Sequence, residues 1–378
     1  MKKRTLAASA AFAAGIFVSS FFVGADPSAS VPRVYVNGER VNADVIMKND
    51  RTYLPLRAVG EAMGAEVSYD EETDCVFVNF TEDNAVAHLV EQVSPSVVAI
   101  IANAGDVKSS SYVSGSGVIY KSNGTIITNA HVVEDTANLT VILYDGTMLP
   151  ATVLFSDKET DLAIIKVNKI GLTPITFAET QPMPGQTAIA IGTPTSMTLR
   201  NTVTKGVVSG VDIMPLLEDM NYYKLLQMDT TINHGNSGGA LINMRGELIG
   251  INSYGLGDYM IENTNFAIPM ETVRFVIDCY EKYGKIVRPT FGLTLETSWE
   301  AQIGLPTTKG MTVRKSDNAA LAVGDVICGV NGYAVSNIYD FRVAVRDTYT
   351  PGSPITVGVR TGGEDGAYKE VQISATEE

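Results

Sequence analysis

The sequence predicts a mainly β chain, with a β-barrel or sandwich core set between two small modules. Two observations carry this. Short apolar runs separated by Gly-rich turns recur from about residue 96 to residue 268, with no long helical stretch between them. The segments on either side, 32–80 and 287–375, each combine one helical period with a few short strands. A length of 378 residues fits two or three domains. With 45% hydrophobic and 19% charged residues the chain has ample material for packed cores.

The chain opens on Lys2, Lys3 and Arg4, followed by an apolar run from Leu6 to Val23 and the small residues Val23-Gly24-Ala25. This is the pattern of an export signal, so residues 1–25 are expected to be cleaved after Ala25. The run of about 20 residues is also long enough to span a bilayer, which leaves an uncleaved anchor as the alternative. Either way the chain is expected to be exported, to the cell envelope or beyond.

Residues 32–80 read as an α+β module. Val34-Tyr35-Val36, Asn37-Gly38 and Glu39-Arg40-Val41 signal a hairpin, because Asn-Gly suits a two-residue turn. Leu56 to Met63 has helical spacing and stops at Gly64, and strands are expected at Val67–Tyr69 and Cys75–Phe80. Through Val36-Asn37-Gly38, Arg51 to Arg57 and Gly64 to Val67, the module resembles the copper amine oxidase N-terminal-like domain. The resemblance implies a stalk or spacer. Copper chemistry is not expected, since the only nearby histidine, His88, lies beyond the module.

Residues 84–283 form the central unit. A helix is expected near Asn84 to Val93, ending before Pro95. Strands follow at Ser96–Ala102, Gly115–Tyr120, Thr125–Asn129, Leu139–Tyr144, Ala163–Val167, Thr187–Ile191, Gly206–Val211, Gly239–Ile242 and Glu247–Asn252. Met270 to Tyr283 is helical and closes the unit. In residues 287–375, Gly324 to Ile327 precedes another Asn-Gly turn, Ile338 to Asp347 is helical, and Ile355–Val359 and Lys369–Ile373 are strands.

The formal charge of −14 excludes a general nucleic-acid binder and gives no support to binding anionic membranes. The three cysteines, Cys75, Cys279 and Cys328, show no Cys-x-x-Cys spacing, so neither a zinc site nor a disulfide framework is expected. No metal or other cofactor is implied, and no Gly-x4-Gly-Lys nucleotide loop is present.

The chemistry concentrates around Ser237, in Gly235-Asn236-Ser237-Gly238-Gly239. Hydrolysis by a serine needs a base for the hydroxyl, a carboxylate to orient that base, and backbone N–H groups for the oxyanion. Glycines let the loop turn tightly, so that the amides of Gly235 and Ser237 can aim at one point. Among the three histidines, His131 follows an apolar strand, His88 sits in the entry helix, and His234 lies within the loop itself. His131 is therefore the candidate base. Asp161, at the head of an apolar strand, is the candidate acid, with Asp157 as its competitor. The order His131, Asp161, Ser237 is the chain order of chymotrypsin-type enzymes, which implies a double β-barrel.

The span from about Val86 to Tyr283 resembles the protease domain of the HtrA/DegP family. The matching runs include Ser114 to Ile119, Thr128 to Val133, Asp161-Leu162-Ala163, Ile232 to Gly239, Gly246 to Asn252 and Phe266 to Pro269. The resemblance implies an ATP-independent serine endopeptidase for unfolded envelope or secreted proteins, with His131, Asp161 and Ser237 as triad and the Gly235 and Ser237 amides as oxyanion donors. It also implies a homo-oligomer, usually a trimer. The competing reading is a holdase or scaffold that binds unfolded chains or peptide C-termini with its triad idle.

Two positions depart from the family pattern. His234 stands where Pro or Arg is usual, and Gly255 stands where a larger aliphatic residue lines the specificity pocket. The expected pocket residues are Ile232, Gly255 and Leu256. With no acid at Thr231 or Ile232, aliphatic or small aromatic side chains are expected before the scissile bond. Residues 287–375 resemble a PDZ domain, which captures peptide C-termini by adding a strand to a sheet edge. Phe291, Gly292 and Leu293 match its carboxylate-binding loop.

Overall fold

The structure is a computed structural model that describes residues 21–24, 33–36, 39–48, 51–71, 73–80, 82–103, 113–134, 136–214, 222–255 and 262–376. Most of the expected signal segment and Leu256 lie outside these residues. The chain divides into two compact units, Met1–Ser94 with Met244–Gly246, and Pro95–Asn243 with Glu247–Glu378.

In the first unit the Asn-Gly hairpin pairs Arg33–Val36 with Glu39–Val41. A further strand, Phe21–Gly24, pairs with Arg33–Val36 and comes from the stretch assigned to the signal. A helix spans Leu56–Ala62, and a second hairpin pairs Ala65–Asp70 with Cys75–Phe80. Gly64 is left-handed, at φ +80°, which is why the helix ends there. A twelve-residue helix spans Glu82–Val93.

The second unit begins with a closed six-stranded barrel. Its strands are β1 (Val97–Asn103), β2 (Val113–Lys121), β3 (Thr125–Thr128), β4 (Asn138–Ile142), β5 (Met148–Asp157) and β6 (Leu162–Val167), in the order β3-β6-β5-β4-β1-β2. A second ring follows from β7 (Thr187–Gly192), β8 (Thr202–Ile213), β9 (Leu225–Met228), β10 (Ala240–Ile242), β11 (Glu247–Gly255) and β12 (Asn265–Pro269). Its order is β11-β10-β7-β8-β9-β12, and the pairing of β12 with β11 closes it. Closure removes the open sheet edges that would invite aggregation. Each barrel is filled by its own inward-facing side chains. Ile100, Ile126, Val141 and Ile165 lie in the first, and Ala190, Val208, Leu226 and Leu241 in the second. The expected double barrel is thus the observed fold.

Three of these strands escape the sequence reading. β5 contains Pro150 and is largely exposed along its length, so neither a strict alternation nor a buried apolar run marks it. β9 is only four residues long. β12 begins on Asn265 and ends on Pro269, and its propensities are mixed. The helix α1 (Met270–Tyr283) lies where the periodicity puts it, burying Met270, Val273, Val276 and Ile277.

The rest of this unit is a sheet of β13 (Leu293–Thr297), β14 (Met311–Ser316), β15 (Val326–Val330), β16 (Ile355–Arg360) and β17 (Tyr368–Ile373), in that order. A helix, α2 (Ile338–Thr348), is capped at its N-terminus by the Asn337 side chain, which accepts from Asp340 N at 2.9 Å. Phe291, Phe341, Val345 and Ile327 share the core of this sheet.

Polar contacts join the sheet to the barrels. Arg288 grips Asp157 with two hydrogen bonds of 2.8 and 2.5 Å. Both side chains are largely buried, at 18% and 11% exposure. The Tyr222 ring is flanked by Arg288, 5.0 Å from its centroid, and Arg342, at 4.0 Å. Lys224 pairs with Asp340 at 2.6 Å. Burial pushes the Asp157 carboxyl up. The Arg288 hydrogen bonds and charge, with those from Thr160, outweigh it and hold the group below its ordinary value. Its contribution to stability is complete above the ordinary value of 3.8 and is lost as pH falls through the depressed one. Arg288→Ala strands Asp157 and is expected to destabilise the protein by about 3–5 kcal/mol at pH 7. In chemical denaturation that deficit should shrink below pH 3.8.

Candidate active site

His131 sits on a single helical turn, Ala130–Val133, directly after β3. Ala130, Val132 and Val133 are buried, so the turn leaves the imidazole as the group that faces out, 47% exposed. Its Nδ1 lies 2.8 and 2.9 Å from the two carboxylate oxygens of Asp161. With a carboxylate at Nδ1 that nitrogen carries the proton, and Nε2 is left as the free acceptor.

Asp161 precedes β6 in a left-handed conformation, at φ +52°. Such a conformation costs about 1–2 kcal/mol in a residue with a Cβ. The bend is held by hydrogen bonds on every side. The Asp161 carbonyl accepts from Ala130 N at 3.1 Å and Asn129 Nδ2 at 2.8 Å. Its carboxylate accepts from His131 N at 3.1 Å and from Ser253 Oγ at 3.1 Å. Charge-assisted bonds contribute about 1.5–3 kcal/mol each, more than enough to offset the strain. The competing acid, Asp157, is engaged by Arg288 instead.

Ser237 lies in the loop between β9 and β10. Gly235 has φ +100°, and a Cβ there would stand 2.3 Å from the Thr193 carbonyl. Gly238 has φ +82°, and its Cβ would meet Ser116 O at 2.2 Å and Thr128 Oγ1 at 2.3 Å. Both positions therefore require glycine. The loop is tied to the first barrel through Ser116, on β2 and fully buried. Ser116 N donates to Ser237 O at 2.9 Å, and its hydroxyl donates to Gly235 O at 2.8 Å while accepting from Thr193 N at 2.9 Å. Among the described residues no acceptor meets the amides of Gly235 or Ser237, so both donors are available to a ligand. The Ser237 hydroxyl itself donates to Ser253 O at 2.7 Å.

His234 is exposed in the same loop, and its carbonyl accepts from Thr195 N at 2.5 Å. Ile232 is partly buried against the second barrel's core, and its carbonyl is 3.7 Å from where a Gly255 Cβ would stand. Leu256 lies outside the described residues. Phe291, Gly292 and Leu293 lead into β13 in the C-terminal sheet, with Phe291 buried and Gly292 at φ +65°. Sequence reasoning assigns no role to Ser116, Ser253 or Asn265. Ser116 stands inside a quoted motif, but nothing in the spacing says that its hydroxyl reaches across to the second barrel. Among the described residues no cluster of His, Cys, Asp and Glu is arranged to hold a metal.

Residues 115–251 match the trypsin-like peptidase domain, and residues 32–93 match the copper amine oxidase N-terminal domain. The chain is 32% identical over 336 residues to the serine protease Do-like HtrA of Bacillus subtilis, covering 79% of this chain and 75% of that one. It is 30% identical to the serine endoprotease DegS of Haemophilus influenzae, over 65% of this chain and 72% of the relative. Among solved structures, a serine endoprotease from Yersinia pestis superposes with TM-score 0.59 and 30% identity, over 79% of this chain and 99% of that one. The HtrA-type protease AlgW bound to a tripeptide superposes with TM-score 0.62 and 28% identity, over 76% of this chain and 95% of that one.

Protein around the His131 imidazole pulls its pKa down. The hydrogen bond and charge of Asp161, with the charge of Glu134, outweigh that pull and leave it above the ordinary 6.5. An NMR titration should place His131 above 6.5 in the wild type. In Asp161→Asn the main raising interactions are gone and the desolvation remains, so the value should drop.

Proposed function

The chain belongs to the HtrA/Do family of serine proteases and is a serine endopeptidase, and from that premise we propose that Ser237 is its nucleophile, His131 its general base and Asp161 the acid that orients the base. The observation that carries this reading is the Asp161 carboxylate. It accepts from His131 Nδ1 at 2.8 Å and from Ser253 Oγ at 3.1 Å, and the Ser253 carbonyl in turn accepts the Ser237 hydroxyl at 2.7 Å. In the reaction, the hydroxyl turns from Ser253 O to His131 Nε2 and attacks the substrate carbonyl as its proton passes to the imidazole. Asp161 stabilises the imidazolium so formed. The carbonyl oxygen, now an anion, is received by the Gly235 and Ser237 amides. His131 then returns the proton to the departing amine, and water repeats the sequence on the acyl-enzyme.

The substrates we assign are unfolded or misfolded exported proteins, in the cell envelope or outside it, with the N-terminal segment serving as export signal or anchor. Among the described residues no helix is long and apolar enough to cross a membrane, and residues 1–20 lie outside them. The C-terminal sheet is read as a PDZ domain that takes peptide C-termini at Phe291-Gly292-Leu293. In support, β13 ends the sheet order and leaves one edge to receive a strand. Assembly as a homotrimer rests on family resemblance.

A fluorophosphonate probe tests the catalytic assignment. Wild-type protein should be labelled at Ser237, and Ser237→Ala should not. His131→Ala should lower turnover of an unfolded protein by about four orders of magnitude or more. Neutral His131 is the working form, so the wild-type rate should fall as pH drops through its raised pKa. Full activity in Ser237→Ala would exclude the nucleophile assigned here.

A further inference from the structure

We infer that Asn265 is the specificity residue of the pocket beside Ser237, and that it selects short, hydroxyl-bearing side chains before the scissile bond. This rests on the protease reading above and narrows its substrate class. β11 runs past the nucleophile, and Ser253 O accepts the Ser237 hydroxyl. Gly255 follows two residues later, past the β-bulge between Asn252 and Tyr254 that breaks the strand's alternation, and no more than about 7 Å along it. That distance matches the reach of a substrate side chain whose carbonyl sits at Ser237. Across the β11–β12 ladder, Gly255 pairs directly with Asn265. The space a Gly255 side chain would use is already taken. A Cβ there would stand 2.1 Å from Asn265 Oδ1 and 3.7 Å from the Ile232 carbonyl. The pocket wall that Gly255 vacates is thus rebuilt from the opposite strand, in amide rather than hydrocarbon.

Two consequences follow for the substrate. The amide shortens the pocket, so long or aromatic side chains are excluded. It also leaves a hydrogen-bonding demand. Asn265 is 7% exposed, and among the described residues its side-chain amide makes no hydrogen bond and keeps a little contact with solvent. A substrate side chain that fills the pocket takes that solvent contact away, so the site discriminates against ligands that leave the amide unpaired. Serine or threonine satisfies it. Alanine fits without satisfying it, and leucine or phenylalanine does neither. This departs from the aliphatic or small aromatic preference expected from Ile232, Gly255 and Leu256.

The test uses the full-length protein and a set of peptides that differ only at the residue before the scissile bond, set to Ser, Thr, Ala, Leu or Phe. Competent sites are counted by fluorophosphonate labelling. Wild type should show kcat/KM at least about tenfold higher for Ser and Thr than for Leu and Phe. Asn265→Ala should gain about tenfold on Leu relative to Ser. Asn265→Leu keeps the pocket short and removes the amide, so the preference for Ser over Ala should vanish while Phe stays excluded. Equal rates for Leu and Thr in the wild type would overturn the inference. So would an unchanged profile in labelled Asn265→Ala. A wild type that neither takes label nor cleaves any peptide would instead overturn the protease reading beneath it.

Discussion

Ser116 lies where the two barrels cross, and its polar groups go into holding that crossing. Its amide donates to the Ser237 carbonyl, its hydroxyl bridges Gly235 O and Thr193 N, and its own carbonyl accepts from Thr128 Oγ1 at 2.6 Å. The proposed base and acid come from the first barrel and the proposed nucleophile from the second, so the proposed catalysis depends on two separately folded walls meeting at hydrogen-bond distance. A loop with glycine at 235 and 238 has many conformations open to it. Ser116 selects among them one in which the Gly235 carbonyl points away into the protein. The amides of Gly235 and Ser237 are then free to point at a substrate. Ser253 supplies the second tie, with its hydroxyl on Asp161 and its carbonyl on Ser237.

Asp161, the proposed acid, is held from the other side by the C-terminal part of the chain. Arg288 pins Asp157, and Asp157 Oδ2 accepts from both the amide and the hydroxyl of Thr160, at 2.9 and 2.5 Å. Thr160 adjoins Asp161. The left-handed bend that presents Asp161 to His131 is therefore bracketed, by the Ser253 and His131 bonds on one side and by the Arg288–Asp157–Thr160 chain on the other. Among the described residues three buried amide oxygens without a hydrogen-bond partner lie close by in sequence: Asn129 Oδ1 beside the His131 turn, Asn236 Oδ1 in the Ser237 loop and Asn252 Oδ1 next to Ser253. Such groups are uncommon in packed interiors and cluster where geometry serves chemistry before stability.

Much of this was legible in the sequence because it is local. Gly235, Ser237 and Gly238 announce a tight loop, Met270 to Tyr283 announces a helix, and the order of His131, Asp161 and Ser237 chooses among known serine-enzyme architectures. What was not legible is non-local. β5 is exposed and interrupted by Pro150, so no period marks it. Ser116, Ser253 and Asn265 are small polar residues in strands, and nothing in their neighbours in sequence says which strand they will face. The roles of Ser116 and Asn265 appear only when β2 is laid against the Ser237 loop and β12 against β11. Gly255 gave the one available hint, since a missing side chain at a pocket position implies that something else stands there.

The Ser116 bonds hold the Ser237 loop in a form ready to receive an oxyanion. A crystal structure of the protein phosphonylated at Ser237 would show this arrangement in use. A phosphonyl oxygen should then lie about 3 Å from both Gly235 N and Ser237 N. The Ser116 bonds to Gly235 O and Ser237 O should persist in the adduct. An adduct whose oxygen lies away from these amides, or a loop that has left Ser116 to make them available, would contradict it.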